Sequence, residues 1–416
     1  MDGTEAPDGE NARDARAARG DRDARGRRRE RHALLAGGGT GGHVFPALAV
    51  AEELLARGWR VSFAGTPSGL EARLVPERGI DFHVLPARPL LGRGPLAQAR
   101  ALATLARSAV SAAGLIRRLG VTAVLGTGGY VSAPAVVGGR LTGRPVLLLE
   151  PNARAGVANR WLSRWATAAA VGYAETAQGL KCPVTVTGVP VRAELFSVPE
   201  LSRNAVGGIS RSSSPGEPGT SEAPAVLGAT RASGASLLVL GGSQGARQIN
   251  RALPAAVALL LAGMPELRIV HQAGARHLDE TRAAYAAAGA SPRQVQVVAF
   301  VDDVAGAMAA CRLLVSRAGA ITVAEICAAG RAALLAPLAI AKGHQQDNAR
   351  LLAAAGGAEV LALPDLEPAP LASHLGALLA DGPRLAAMGR AARALARPDA
   401  AAAIAGLLEK LAGGRA

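Results

Sequence analysis

Short apolar runs, each closed by glycines and followed by a stretch of helical spacing, recur along most of the chain. Ala33–Ala36 is such a run and reads as a short buried strand. From Pro46 to Leu55 the apolar positions Ala47, Val50, Ala51, Leu54 and Leu55 fall at helical spacing, and Trp59–Ala64 is a second strand run. A strand, a glycine loop, a helix and a strand make a βαβ unit, which requires a parallel sheet. The pattern returns with a strand at Val121–Leu125, glycines over Gly126–Gly129, a helix from Ser132 and a strand at Val146–Leu149. Further strand runs are Leu237–Leu240, Leu267–Gln272, Val295–Phe300, Arg312–Ser316 and Ala333–Pro337, with helical stretches between them. The chain therefore predicts an α/β fold with two parallel-sheet domains that face each other across a cleft. Ligands of open parallel sheets bind at the carboxyl ends of the strands.

Two segments fall outside this rhythm. Residues 1–31 mix Asp, Glu, Arg, Ala and Gly with almost no large apolar residue, as a disordered tail does. Residues 197–235 are dominated by Ser, Gly, Pro and Glu and read as a disordered linker or insertion. The expected organisation is thus a tail (1–31), a first domain (32–196), and a linker (197–235) joining it to a second domain (236–396).

Composition narrows the class. Half of the 416 residues are hydrophobic, so the chain can build cores, and the length suits two to three domains. The three cysteines, Cys182, Cys311 and Cys327, have no CxxC spacing, which argues against a disulfide framework or zinc site and for a reducing compartment. No apolar run reaches the ~18 residues of a membrane span, and the charged N-terminus is no signal peptide. The net charge of +14 leaves nucleic acid, a membrane surface or an anionic substrate open. With 3% aromatic residues the chain has few stacking platforms for bases, so no nucleic-acid partner is expected.

Five clusters carry chemistry. Gly37-Gly38-Gly39-Thr40-Gly41-Gly42-His43 follows the first strand in G-x-G-x-x-G register, where backbone amides and a helix N-terminus favour a phosphate. A dinucleotide site would want an acid at the end of the second strand, but that strand ends Phe63-Ala64-Gly65-Thr66. His43 suits a general base or a phosphate-binding cap. Gly126-Thr127-Gly128-Gly129-Tyr130 and Gly241-Gly242-Ser243-Gln244-Gly245 are two more loops between strand and helix. Ser316–Glu325 runs from a strand through small residues into a helix; its N-terminus with Thr322 suits a diphosphate, and Glu325 suits ribose hydroxyls or simply the helix dipole. Gly343–Ala349 bunches amides and an imidazole at a helix start, an inventory for sugar hydroxyls or a plain exposed turn. Asp302-Asp303 reads as a helix cap more than a metal pair.

Taken in order, GGGTGGHVFPALAVA, GTGGYVSAPA, GGSQGARQIN, SRAGAITVAEICAAG and HQQDNA resemble the MurG family of glycosyltransferases over about residues 32–395. The resemblance implies a GT-B fold of two Rossmann-like parallel-sheet domains facing a cleft, whose last helix (397–416) returns to the first domain. It implies transfer of N-acetylglucosamine from UDP-GlcNAc to undecaprenyl-diphospho-muramoyl-pentapeptide in peptidoglycan synthesis, and through it a part in cell shape and division. Another GT-B enzyme of UDP-sugars, a lipid glycosyltransferase or a UDP-GlcNAc 2-epimerase, is the alternative.

The resemblance also implies roles. Thr40, Gly41, Gly42, Gly128, Gly129 and Tyr130 would hold the acceptor's diphosphate, with Thr40, Gly41 and Gly42 also bordering the donor. His43 would be the base. Ser243, Gln244, Ala320, Ile321 and Thr322 would meet the donor phosphates and sugar, Val301 the uracil, Glu325 the ribose, and Arg192 the nucleotide region. Asn152, Gln345 and Asn348 would read the donor sugar, beside His344. No cofactor and no metal are expected. Pro151 and Val189 depart from the family's usual Gln and Asn. Eleven arginines against the single acid Glu150 over residues 88–164, with Leu90, Leu91 and Leu96 near Arg88, Arg93 and Arg100, imply a face for an anionic membrane surface. A peripheral protein of the cytoplasmic face of the inner membrane is expected, with cell-wall synthesis proteins as further partners.

Overall fold

A computed structural model describes residues 31–88, 94–201, 236–242, 245–338, 343–362 and 366–414. Ser243, Gln244, Leu90, Leu91, Arg93, residues 1–30 of the tail and residues 202–235 lie outside the described residues.

The first domain runs β1 (His32–Ala36), α1 (Gly41–Ala56), β2 (Arg60–Gly65), α2 (Glu71–Leu74), β3 (Asp81–Val84), α3 (Pro95–Leu119), β4 (Ala123–Gly126), α4 (Ala133–Leu141), β5 (Val146–Glu150), α5 (Val157–Leu162), β6 (Ala168–Val171) and β7 (Val184–Val186). Its parallel sheet has the order β3-β2-β1-β4-β5-β6-β7. The second runs β8 (Ser236–Leu240), α6 (Arg247–Gly263), β9 (Arg268–Gln272), α7 (Leu278–Ala287), β10 (Val295–Val298), α8 (Val304–Ala310), β11 (Leu313–Ser316), α9 (Ala320–Ala329), β12 (Ala332–Leu335), α10 (His344–Ala354), β13 (Ala358–Val360), α11 (Pro368–Ala380) and α12 (Gly382–Ala394). Its sheet, also parallel, has the order β10-β9-β8-β11-β12-β13. The two sheets are those of a GT-B fold.

The continuous apolar runs follow from burial on both faces. In β1, Ala33 and Leu35 feed the core on one side of the sheet while Leu34 and Ala36 feed the core on the other. In β8, Leu237 and Val239 divide from Leu238 and Leu240 in the same way. α1 begins at Gly41, five residues before the helical spacing becomes visible, and Pro46 lies inside it without an N–H for the Gly42 carbonyl. The last helix, α13 (Ala400–Gly413), packs Ile404, Ala405 and Leu408 into the first domain's core. Its Glu409 accepts from Trp59 Nε1 at 3.2 Å and pairs with Arg57 at 3.0 Å.

The link between the domains differs from the expected long linker. The chain crosses near Gly188–Val191, because Leu195 and Val198 are already buried in the second domain. Two arginines hold this stretch by its carbonyls. Arg331, 1% exposed, donates to Pro199 O at 2.8 Å and Met308 O at 2.6 Å. Arg393 donates to Phe196 O at 3.1 Å and Val198 O at 2.6 Å. Residues 197–201 are therefore packed structure of the second domain, since buried guanidinium groups require those acceptors. The return crossing passes Gly188, whose φ of +84° and closeness to the Arg397 side chain leave no room for a Cβ. Val189 is buried beside it against Gly172, so the apolar side chain suits its surroundings.

Across the cleft the domains meet through Asn348 of α10. Its Oδ1 accepts from Ala153 N at 2.8 Å, and its Nδ2 donates to Asn152 Oδ1 at 3.2 Å and Ala318 O at 3.1 Å. Beside it Arg154 Nε lies 2.9 Å from Asp347 Oδ2. Replacing Asn348 with Ala should lower stability by about 1–3 kcal/mol and raise the radius of gyration, measured by urea denaturation and small-angle scattering.

A second polar knot sits inside the second domain. His271, fully buried, has Nε2 3.1 Å from Asn250 Oδ1 and Nδ1 3.0 Å from Tyr285 OH. Because Asn250 Nδ2 donates to Ala273 O, its Oδ1 is the acceptor and His271 Nε2 carries the proton. Burial pulls the imidazole down to about 3. Between that value and the ordinary 6.5 only the unfolded chain binds the proton, so stability is full above pH 6.5 and falls as pH drops. The expected slope from this group is about 1.4 kcal/mol per pH unit. His271→Gln should flatten that limb in calorimetry between pH 4 and 6.5.

Candidate functional site

Both sheets reverse their strand order at one point, between β1 and β4 in the first and between β8 and β11 in the second. The loops leaving those four strands are the glycine-rich and small-residue segments. They stand at the topological switch points where open α/β sheets bind ligands.

On the first domain's side, β1 and β4 are hydrogen-bonded neighbours, so the 37–42 and 127–132 loops converge. His43, in the first turn of α1, is partly buried there, and its Nδ1 lies 2.8 Å from Thr127 O. A carbonyl only accepts, so Nδ1 carries the proton and neutral Nε2 has a lone pair. Thr127 Oγ1 in turn donates to His43 O at 2.8 Å. The ring rests on Gly128 and Gly129, with φ of +93° and +70°; a Cβ on either would stand 3.2 Å from it. Burial lowers the His43 pKa from its ordinary 6.5, opposed by Glu150, the Thr127 carbonyl and Glu71. Tyr130 follows, 37% exposed.

Those two acids escaped the motif reading. Glu150, at the end of β5, is 2% exposed and accepts from Asn152 N, Asn152 Nδ2, Gly156 N and Asn159 Nδ2 at 2.8–3.1 Å. It folds the 152–156 loop, and Asn159 backs Gly128 at the position a Cβ would need. Its signal in the sequence was its isolation as the one acid among eleven arginines. Glu71, fully buried, accepts from Gly39 N at 3.1 Å and from Thr66 N and Oγ1 at 3.0 and 2.7 Å. It stands five residues past Thr66, beyond the strand end where an acid was sought.

On the second domain's side, α9 presents its N-terminus after Gly319, with Ala320, Ile321 and Thr322 in its first turn. One turn on, Glu325 is 8% exposed and its Oε1 accepts from Arg192 Nη2 at 2.9 Å. Burial raises the Glu325 pKa and Arg192 opposes the rise. The Arg192 guanidinium also lies over the Phe45 ring of α1, 5.7 Å from its centroid. The cation thus spans from the helix that carries His43 to the helix that carries Glu325.

Other residues turn out to serve the framework. The Val301 N–H donates to Gln272 Oε1 at 3.2 Å, and Gln272 Nε2 donates to Gly242 O at 3.0 Å, so one amide fixes the 241–242 loop against the 301 backbone. Gln345 Oε1 accepts from Leu338 N at 2.8 Å. Asn348 has no exposed surface and Asn152 is bonded to it and to Glu150, so in this structure Asn348 joins the domains instead of facing the cleft. Asp303 caps α8, accepting from Gly306 N at 2.8 Å, as the capping reading has it. The arrangement offers a base with a free lone pair on one wall and a helix N-terminus on the other. That is the equipment for attack by a hydroxyl on a carbon that carries a phosphate leaving group.

The glycosyltransferase family 28 N-terminal domain matches residues 33–171, and the family's C-terminal domain matches residues 236–404. A UDP-N-acetylglucosamine–N-acetylmuramyl-(pentapeptide) pyrophosphoryl-undecaprenol N-acetylglucosamine transferase of Halorhodospira halophila is 41% identical over 385 residues, 92% of this chain and 99% of the relative. The protein of the same name from Methylibium petroleiphilum is 40% identical over 386 residues, 92% of this chain and 98% of its own. The crystal structure of Acinetobacter baumannii MurG is 32% identical and superposes with a TM-score of 0.66, covering 91% of this chain and 99% of that one. With its two sheets, its paired switch points and these relatives along nearly the whole length, the chain belongs to glycosyltransferase family 28 and, within it, to the MurG family.

Proposed function

We propose that this protein transfers N-acetylglucosamine from UDP-GlcNAc to the C4 hydroxyl of undecaprenyl-diphospho-N-acetylmuramoyl-pentapeptide, with inversion at the anomeric carbon. The observation that carries the chemistry is the His43 imidazole held by the Thr127 carbonyl so that Nε2 is the basic nitrogen. The relatives' names, at about 40% identity over 92% of the chain, support the substrates.

In this reading the acceptor oxygen attacks the anomeric carbon, its proton passes to His43 Nε2, and the bond to the UDP oxygen breaks with its electron pair. Negative charge grows on the departing diphosphate. The α9 N-terminus and nearby amides would meet it, which lowers the barrier where charge develops. A fixed dipole can serve in place of a cation, so we expect the reaction to need no cofactor and no essential divalent metal. Glu325 would accept the ribose hydroxyls through the oxygen not engaged by Arg192. Thr40, Gly41, Gly42, Gly128, Gly129 and Tyr130 would hold the acceptor's diphosphate.

His43→Ala should cut kcat by at least about a hundredfold while UDP-GlcNAc affinity by calorimetry stays within about twofold. In the wild type, kcat/KM should rise with pH as His43 loses its proton, with the midpoint of the rise below the ordinary imidazole 6.5, because burial favours the neutral ring. A wild-type turnover number for the alanine variant removes His43 as base.

The acceptor is a lipid, and no helix among the described residues is long and apolar enough to cross a membrane. We place the protein as a peripheral occupant of the cytoplasmic membrane face. The α3 region supports this: Arg88, Arg100 and Arg107 surround Ala103 and Thr104, and Leu102 and Val110 stand 54% and 68% exposed on the same helix. Vesicles with anionic lipid should sediment the protein at low salt, and neutral vesicles should not; Arg100→Glu with Arg107→Glu should weaken capture. Equal recovery in the supernatant of both vesicle types counts against the docking face.

A further inference from the structure

Two loops leave the carboxyl ends of the neighbouring strands β1 and β2, residues 37–40 after β1 and residues 66–70 after β2. Glu71 enters between them from the first residue of α2. Its Oε2 takes the Gly39 N–H, and its Oε1 takes both the N–H and the O–H of Thr66. Three glycines make way for it: a Cβ on Gly38, Gly65 or Gly69 would collide with the Glu71 side chain. The carboxylate is fully buried. An ionised group in that state is costly unless donors surround it, and its charge opposes any anion brought to the same loop. A glycine loop needing only a tight turn requires neither.

The geometry points to Glu71 as a positioning residue for the acceptor: by fixing Gly39 and Thr66 on one carboxylate it sets the shape of the 37–40 loop, and so the place of the acceptor's anionic group. With the Gly39 N–H consumed inward, and His43 N and Val44 N turned to the Thr40 carbonyl, the first-turn amides of Gly41 and Gly42 are among the donors left for an anion. Gly39, at φ +81°, makes the bend that separates the inward amide from the outward ones. This inference rests on the reading above that the first domain's loops face the acceptor.

The test uses the full chain with Glu71→Gln and Glu71→Ala, a detergent-dispersed lipid-diphosphate acceptor and UDP-GlcNAc. The glutamine keeps the size but sets an NH₂ against either Gly39 or Thr66, so both variants release part of the knot. The acceptor KM should rise about tenfold in each, the scale of one lost hydrogen bond to a charged group. The donor KM and the Kd for UDP should stay within about twofold. Amide exchange by mass spectrometry should quicken in peptides covering 37–43 and 65–71 and nowhere in the second domain. An unchanged acceptor KM with unchanged exchange in Glu71→Gln overturns the assignment. So does an equal rise in both KM values with faster exchange throughout, which is general destabilisation. If the wild type transfers no sugar, the functional reading fails, and the exchange measurement alone then decides whether Glu71 holds the loop.

Discussion

The contact on which the cleft depends is the seat of one imidazole. His43 packs on two glycines whose positive φ values keep Cβ atoms away, while the Thr127 carbonyl fixes which ring nitrogen carries the proton. That contact needs β1 and β4 side by side, because only adjacent parallel strands deliver their following loops to the same spot. The sheet order thus does chemical work: it chooses the tautomer of a side chain 84 residues away in sequence from its partner. Glu150 and Asn159 support the arrangement from behind Gly128, and Glu71 from beneath the other loop.

A shared electrostatic device runs through the site. Glu71, Glu150 and Glu325 are each less than a tenth exposed, and each is met by N–H donors or by a guanidinium. In a chain of net charge +14, these three are the buried acids among the described residues. Their cost of burial is offset locally, so Glu71 and Glu150 fix the backbone around them more tightly than an apolar residue would, and Glu325 fixes the Arg192 side chain. Glu71 and Glu150 also act at a distance on His43, opposing the burial that would otherwise leave the ring a weaker base.

Most of the strands that are buried on both faces were legible in the sequence, because a glycine-bounded run of Val, Leu and Ala has few other readings. The glycine clusters were legible for the same reason, as were the helix starting at Ala320 and the cap at Asp303. Four strands were not. β3 is a half-exposed edge strand, β7 and β13 have three residues each, and β6 is Ala-Ala-Ala-Val, a helix-prone sequence that the neighbouring strands β5 and β7 hold extended. The domain junction was also hidden. Composition marks where a chain loses apolar character, and that loss begins after the crossing, in residues that Arg331 and Arg393 tie to the second domain through carbonyls. Asn348 shows the same limit: an amide's inventory is visible from sequence, but whether it meets a ligand or the other domain depends on contacts across 195 residues.

The position of the crossing has a bearing on how such a chain can change over generations. The 202–235 segment leaves from Leu201, packed on the second domain's core, and rejoins at Ser236, the first residue of β8 in that same domain. Both flanks therefore belong to one domain, and the tether between the two domains lies upstream, at the crossing. The segment's length and sequence can drift without altering the reach from one wall of the cleft to the other, whereas the crossing at Gly188, pressed against Arg397, cannot gain even a methyl group without moving both walls.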